Sequence, residues 1–580
     1  MGAASTYNGN TTIQAGNVQN RINVIAAVEN ALPTTTVLSF DAVAGSGSGR
    51  TTQFDLNGNN QTLAGLSNAG VVGADRNLRV TSATAATLAI NNTSNFTFGG
   101  ATKDDNTGTG QDGTVTSAQI TGAISLVKSG TGTFTLGGTL NGTVNGAATA
   151  QGNSFTGTTK ILGGILVLGE STSIRNSAFD TTSVLGDANN GLRVGIGGTG
   201  VTTLTLGGLI GGNNLSTRFT TTTGGYDGLT ALTLNPGTGV THSYAADVGN
   251  GNGSMILTKT TTGTQVFTAA QTYSGNTNVN GGTLQLSGNG QLGSGTYNAN
   301  ISVANTALLR YSSTVDQTLG GIISGLGGIT KDTGTASTLT LSGDNTYDGI
   351  TTVTAGTLLI NGNSSTAIGA VNVNGGTLGG TGTTGGAITV SGGATLAPGA
   401  SIESLGAPSL SMESTSVFAY EVADNSATGE DLLALSGTLS LTGVTLNLDA
   451  FTLAALAAGT WSLGNKLTLI SYMDAGAGIT SGFTGYVDNA SYFFGANEWL
   501  FDYNDTAAGG NYGTDVTNAG SNRFVTLTVV PEPRAPSGPA RRSRPACPAA
   551  PPPMIDPRKG LSNISQPLLS GDGGSRIDCG

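Results

Sequence analysis

"NTYDGITTVTAGTLLI" (345–360) superimposes without a gap on "QTYSGNTNVNGGTLQL" (271–286) and on "NSFTGTTKILGGILVL" (153–168). In each copy an aromatic, Tyr347, Tyr273 or Phe155, is followed two residues later by a glycine, Gly349, Gly275 or Gly157. Eleven residues after the aromatic stands a leucine, Leu358, Leu284 or Leu166, in a short strand pattern that follows a glycine turn. A lysine precedes each copy: Lys331 in "ITKDTGTASTLTLSG", Lys259 in "LTKTTTGTQVFT" and Lys128 in "LVKSGTGTFTLGG". A unit copied at one internal spacing needs its neighbours to bury its apolar side, so the pattern predicts a stack of rungs. Within it the aromatic–x–glycine element is structural: a ring over a turn, with glycine where a side chain would clash.

Composition agrees with a stack. Of 580 residues 95 are glycine, 9% are charged and 5% are aromatic, whereas an ordinary globular domain is about a quarter charged. Thr, Ser and Asn take the place of charge, and they suit turns and hydrated strands. Recurrent Val, Ile, Leu and Phe in alternation exclude disorder for most of the chain. The net charge is −11; residues 531–580 hold seven basic and four acidic residues, leaving 15 basic and 29 acidic before them, a net of −14. An acidic body with scattered Lys and Arg excludes nucleic acid as a partner. Both cysteines, Cys547 and Cys579, lie in the final fifty residues, so the body is expected to work without disulfides or thiol chemistry. The start "MGAASTYNGN" has neither a basic nor an apolar segment and reads like residues just after a cleaved signal peptide. No stretch reaches the roughly 18 to 20 apolar residues of a membrane helix.

Helix signals are confined to "NVQNRINVIAAVENAL" (17–32) and "FTLAALAAG" (451–459). Elsewhere short strands such as "TFTL", "TLQL" and "ITV" alternate with Gly-Gly, Asn-Gly and Ser-Gly turns. The expected fold class is all-β, a parallel β-helix closed by a C-terminal β-rich cap. The expected divisions are 1–120, a β-rich start; 121–405, the repeat-bearing β-helix; 406–530, the cap; and 531–580, a disordered tail rich in Pro and Arg. Threonine and asparagine are expected to form ladders along the rod, with glycine at its corners.

The motif, lysine half and aromatic half together, resembles the autotransporter-associated β-strand repeat of bacterial passenger domains. Residues 327–360 match it best, then 255–286, then 124–168 with an insertion; "GGTLGGTGTTGGAITVSGGATLAPGAS" (375–401) resembles the stretch that follows the last repeat. The resemblance implies a right-handed coil of about 20 to 25 residues per rung, hence about 16 to 20 rungs over 1–405 and a rod of roughly 80 to 100 Å. It also implies export and display at the cell surface. A membrane barrel of the autotransporter kind is not apparent in the sequence. Instead Val530, Pro531, Glu532 and Pro533 resemble the start of a PEP-CTERM sorting signal. The apolar helix such a signal implies does not follow, and the Arg- and Pro-rich run in its place resembles translation in a shifted frame. Family-type sorting and anchoring are therefore expected to fail for the sequence as written.

Candidate chemistry is sparse. One histidine, His242, has neither a second histidine nor a cysteine with which to build a zinc site. "ATKDDNTG" (101–108) gathers Lys103, Asp104 and Asp105, the kind of cluster a β-helical polysaccharide lyase uses, although an acidic turn explains it equally. "NEWLFDYNDTAAGGNYGTD" (497–515) surrounds Trp499, Tyr503 and Tyr512 with Glu498, Asp502, Asn504, Asp505 and Asp515; Asp502, Asn504 and Asp505 are the calcium-ligand candidates, but the spacing fits neither an EF-hand nor a nonapeptide calcium repeat. No catalytic residue and no cofactor is expected. The function expected is that of an exported, non-enzymatic surface or matrix protein presenting a repetitive polar face to polysaccharide or to copies of itself. Two alternatives stand beside it: a carbohydrate-active enzyme on the same fold, or a frameshifted fragment without function.

Overall fold

Short stretches of alternating Thr and Leu dictate the local structure. In Thr338–Leu341, "TLTL", the leucines turn inward and the threonines outward, as strand geometry requires of a period of two. The computed structural model describes residues 3–531, apart from 16–21, 43–49, 69–75, 100–116, 138–139, 145–146, 196–200, 334–336, 400–402, 425–428, 475, 477, 480 and 513–521. All strand pairing mentioned below is among these described residues.

The strands form a parallel solenoid. Gly328–Lys331 pairs in parallel with Thr351–Val353, and the ladder continues through Val371–Val373, Ile388–Val390 and Leu410–Met412. Ile329, Thr351, Val371, Ile388 and Leu410 lie in register, so successive rungs are 22, 20, 17 and 22 residues long. Each rung in this part has three sides, for example Val371–Val373, Thr377–Gly380 and Thr383–Thr384, lying in a ten-stranded and two eight-stranded sheets. Nearer the N-terminus a fourteen-stranded sheet, from Ile22–Ile25 to Ile323–Ser324, forms one side.

Inside, like residues stack. Leu339, Leu358, Leu378, Leu396 and Phe418 form a column in register, none more than 1% exposed. Each such side chain contributes about 1.5 to 3 kcal/mol by burial. Leu166, Leu284 and Leu358 of the repeat all belong to this interior. The aromatics lie inside as well: Phe155, Tyr273 and Tyr347 are 1%, 0% and 4% exposed. The two tyrosine hydroxyls bond the threonine four residues on, Tyr273 to Thr277 at 2.8 Å and Tyr347 to Thr351 at 2.6 Å. A hydroxyl on a buried ring needs such a partner.

The repeat glycines sit where the corner of one rung lies against the rung before it. A Cβ on Gly157 would lie 2.4 Å from the Ile124 carbonyl oxygen, one on Gly275 2.3 Å from that of Met255, and one on Gly349 2.0 Å from that of Gly327. The same close approach continues upward at Gly369 (1.9 Å) and Gly386 (1.8 Å).

Three expectations meet the structure differently. The helix expected over 17–32 does not form in its described part: Ile22–Ile25 is a strand with alternating burial, paired in parallel with Arg50–Asp55, turns and bends follow over 26–36, and residues 17–21 lie outside the described residues. Tertiary pairing of β-branched residues overrides a loose helical spacing there. The second helix exists as Ala450–Leu456, with Asp449 accepting from the Thr452 amide at 2.7 Å as its N-cap. Finally, no sheet breaks at residue 406. The parallel ladders run on through Leu439–Leu441 and Thr445–Asn447, and Met1–Glu532 is one compact unit. The altered texture there reflects a longer rung, 29 residues from Leu410 to Leu439, and not a new architecture.

Apart from a hairpin of Leu140–Val144 with Ala147–Gln151, the long ladders of the described residues keep one strand direction until the C-terminal end. Lys466–Tyr472 pairs in parallel with Leu432–Leu435 on one side and antiparallel with Arg523–Val530 on the other; Asn497–Asp505 and Ala490–Phe494 complete the closing sheet. Its interior holds Trp499, Phe501 and Tyr503, each no more than 2% exposed. A solenoid whose last rung would otherwise expose an apolar cross-section needs such a cover.

The glycine corner is directly testable. Gly349→Ala is expected to destabilise the protein by about 1 to 3 kcal/mol, since backbone, not a movable side chain, occupies the space. Gly212→Ala, whose Cβ would meet nothing within 4 Å, is expected to be neutral. Chemical denaturation of the two variants beside the parent checks the contrast.

Candidate functional site

The lysine ahead of each repeat occupies a position in an inward column. Lys128 stands in register between Ile90 and Ile161, Lys259 between Leu234 and Val279, and Lys331 between Tyr311 and Val353. All three are 0% exposed. The aliphatic stem fills the column as a leucine would, which leaves the ammonium to be satisfied inside. Lys128 Nζ donates to the carbonyls of Ser129 (2.6 Å), Gly130 (3.1 Å) and Gly163 (2.9 Å). Lys259 Nζ repeats the arrangement with Thr260 (2.6 Å), Thr261 (3.0 Å) and Gly281 (2.9 Å). In both, two acceptors belong to the lysine's own corner and the third to the next rung. Lys331 donates to the Thr333 carbonyl and to Ser337 Oγ. Burial pushes the ammonium of Lys128 and of Lys259 down to about 8, and that of Lys331 below the ordinary lysine value. These groups seal corners; each is spent on acceptors within the fold, backbone carbonyls for Lys128 and Lys259, and one carbonyl and one hydroxyl for Lys331.

Two buried carboxyl groups lie near the closing sheet. Asp431, 1% exposed, accepts from the amides of Glu421 (2.9 Å) and Glu403 (3.3 Å). Glu430, 6% exposed, has a buried Oε2 without a hydrogen-bond partner, and it borders a cavity of about 410 Å³ shared with Trp461, Lys466 and Asn511. Burial pushes both carboxyls up to about 8, helped by Asp424 beside Glu430 and by Glu421 and Glu403 beside Asp431. Nothing in the sequence marks them, since "GEDLLAL" (429–435) reads as an ordinary turn entering a strand.

The residues singled out for calcium are engaged within the protein. Asp505 Oδ2 pairs with Lys466 Nζ at 2.6 Å and accepts from Thr526 at 2.8 Å; its Oδ1 accepts from the Ala507 amide at 2.9 Å. Asn504 Oδ1 accepts from the Ile479 amide and the Tyr472 hydroxyl, while Asp502 Oδ1 accepts from the Asn504 amide. Among the described residues no three His, Cys, Asp or Glu side chains are grouped to hold a metal. His242 lies half-buried in Thr241–Tyr244, its pKa lowered by burial. Val530 ends the last strand and Pro531 follows it. Lys103, Asp104, Asp105, Asp515, Glu532 and Pro533 lie outside the described residues. Among those residues no helix is long and apolar enough to cross a membrane, which leaves membrane barrels unaddressed.

What the solenoid offers to solvent is regular. On the fourteen-stranded sheet Thr205, Thr233, Thr258, Asn278, Ser302 and Ser324 stand in register, one hydroxyl or amide per rung. Such columns advance by about 4.8 Å per rung.

Two pH effects follow from the buried groups. The folded state holds protons on Glu430 and Asp431 that the unfolded chain releases near pH 4, so these residues make stability fall as pH rises from about 4 to 8. Glu430→Gln is expected to flatten that slope in denaturation curves taken at pH 5 and pH 8. For Lys128 and Lys259 the unfolded chain keeps a proton that the folded one sheds above about 8, so stability rises from pH 8 towards 10. Lys259→Met is expected to reduce this rise. At neutral pH Lys259→Ala should cost about 2 to 5 kcal/mol, from the cavity and the carbonyls left bare.

A protein-family model described as passenger-associated-transport-repeat matches residues 1–19, 126–168, 257–286 and 333–360. The last three are the lysine-sealed repeats. The first was not recognised above because only its aromatic half is present, as Tyr7-x-Gly9; its Tyr7 hydroxyl nonetheless bonds Thr11, as Tyr273 bonds Thr277. An autotransporter, adhesin BmaC of Brucella suis biovar 1 (strain 1330), is 52% identical over 65 residues, which is 11% of this chain and only 2% of the adhesin. The last three matches are corners of this solenoid with a buried ring, a close-packed glycine and a buried lysine ahead of them, whereas in the first Tyr7 is exposed and a Cβ on Gly9 would meet nothing within 4 Å; all four are thus repeats of the kind found in autotransporter passengers, and the chain carries them.

Proposed function

We propose that this chain is an exported, non-enzymatic surface rod that adheres by repetition, its outer hydroxyl and amide columns making many weak contacts with extracellular polysaccharide. The observation that carries the reading is the in-register column Thr205–Thr233–Thr258–Asn278–Ser302–Ser324, which repeats one polar group at every rung. Identical weak sites held at fixed spacing on a stiff scaffold bind an extended polymer far more tightly than any of them singly. Passenger-type repeats support export, and the match to an adhesin supports attachment. The low charge of the chain, 9% of residues, suits contacts made by hydroxyls and amides and not by ion pairs.

Incubation of the full chain with insoluble polysaccharides, followed by assay of both depletion and newly released reducing ends, tests this. Depletion without release is the expected result. Release of sugar ends would refute the non-enzymatic reading and direct attention to the cavity beside Glu430. Neither depletion nor release would leave contact between copies of the rod as the function.

A further inference from the structure

The sides of the solenoid are not equivalent. On the fourteen-stranded sheet an ion pair joins Lys160 to Asp180 at 3.5 Å, and on the ten-stranded sheet Arg310 pairs with Asp332 at 2.5 Å. The eight-stranded sheet running from Thr296–Tyr297 to Thr445–Asn447 has no charged residue in any of its strands. Its outer surface carries Thr338, Thr357, Thr377 and Thr395 in strict register, one per rung and each partly exposed; Thr445 lies two rungs further on, after Val417. The neighbouring column, Thr340, Leu359, Gly379 and Ala397, is uncharged as well, with Gly379 buried beside the Leu359 side chain. The threonine hydroxyls thus stand along an uncharged, partly apolar strip.

We infer that this sheet is a track for a single extended, uncharged polysaccharide chain lying along the rod axis, with one threonine meeting each sugar residue. The inference rests on the adhesive reading above, assigns the principal contact to this sheet in place of the fourteen-stranded column, and names one class of polymer. Three properties select the occupant. The period of the threonines is the strand spacing, about 4.8 Å, close to the advance of one sugar residue in an extended glycan. Threonine offers a hydroxyl that both donates and accepts, with a methyl group beside it, which matches a pyranose edge bearing both hydroxyls and C–H groups. The charge balance excludes acidic glycans: the track itself is uncharged and the chain before residue 531 carries a net −14, which repels uronates and sulfated sugars.

The test compares full-length proteins in sedimentation with cellulose and chitin, which are neutral, and with calcium alginate gel, which is acidic. Thr357→Val/Thr377→Val/Thr395→Val removes three hydroxyls while keeping volume and β-propensity. Thr238→Val/Thr262→Val removes two exposed hydroxyls at a corner of the coil, 2.8 Å apart, as the control. The expected result is binding of the parent to a neutral polymer, at least a tenfold loss in the triple variant, an unchanged control, and equal thermal unfolding for all three. A triple variant that is folded and binds like the parent would overturn the track while leaving polysaccharide adhesion in place. So would a parent that prefers alginate, or a control that loses as much as the triple variant. No binding by the parent to any of the polymers removes the adhesive reading itself and the track with it.

Discussion

Each rung of this protein lies one strand spacing above the last, and at that distance the corners have room for backbone alone. The close approach of Gly349 to the Gly327 carbonyl, and of Gly369 to that of Gly349, sets where the chain is able to turn. Once the corners are fixed, the sides between them must be strands, of two to four residues each between Gly328 and Pro398, and alternation assigns one set of side chains to the interior. Leucine over leucine in one column, threonine over threonine in the next, is then a consequence of register. The regular exterior and the regular interior have the same origin.

The buried lysines show how the corners are satisfied. A turn leaves carbonyl oxygens pointing away from any strand, and inside the coil water does not reach them. Lys128 and Lys259 each bring an ammonium to three such oxygens, two from one rung and one from the next. Carrying an ammonium into an apolar column is costly, and the lowered proton affinity of both groups records that cost. The bonds recover it only when the two rungs stand in the correct order, so the lysine ties stability to register.

Much of this was legible in the sequence because a repeat compares a chain with itself. Three superimposable segments fixed the stack, the glycines and the inward leucines, and the resemblance they carried held when compared with the passenger repeat model. The lysines were visible as part of the motif but not as interior residues, since a lysine in a strand reads as exposed until its register with Ile90 and Ile161 is known. The helix expected over 17–32 failed for a related reason: its apolar spacing fits a helix loosely, and only pairing with Arg50–Asp55 decides for a strand. Glu430 and Asp431 were illegible because their surroundings come from other segments, Trp461 to Asn511 around Glu430 and the amides of Glu403 and Glu421 around Asp431. The break in texture near 406 was real in composition, but loop length changed and strand direction did not.

A corner made of one glycine, one ring and one lysine works at any height in the rod, because it refers only to the rungs directly below and above. Duplicating the segment that encodes it inserts a finished storey between two others and leaves every other storey untouched. The gene is therefore free to treat reach as a quantity to be adjusted in whole steps, and the segments at 271–286 and 345–360, which share eight of their sixteen residues, fit such a history.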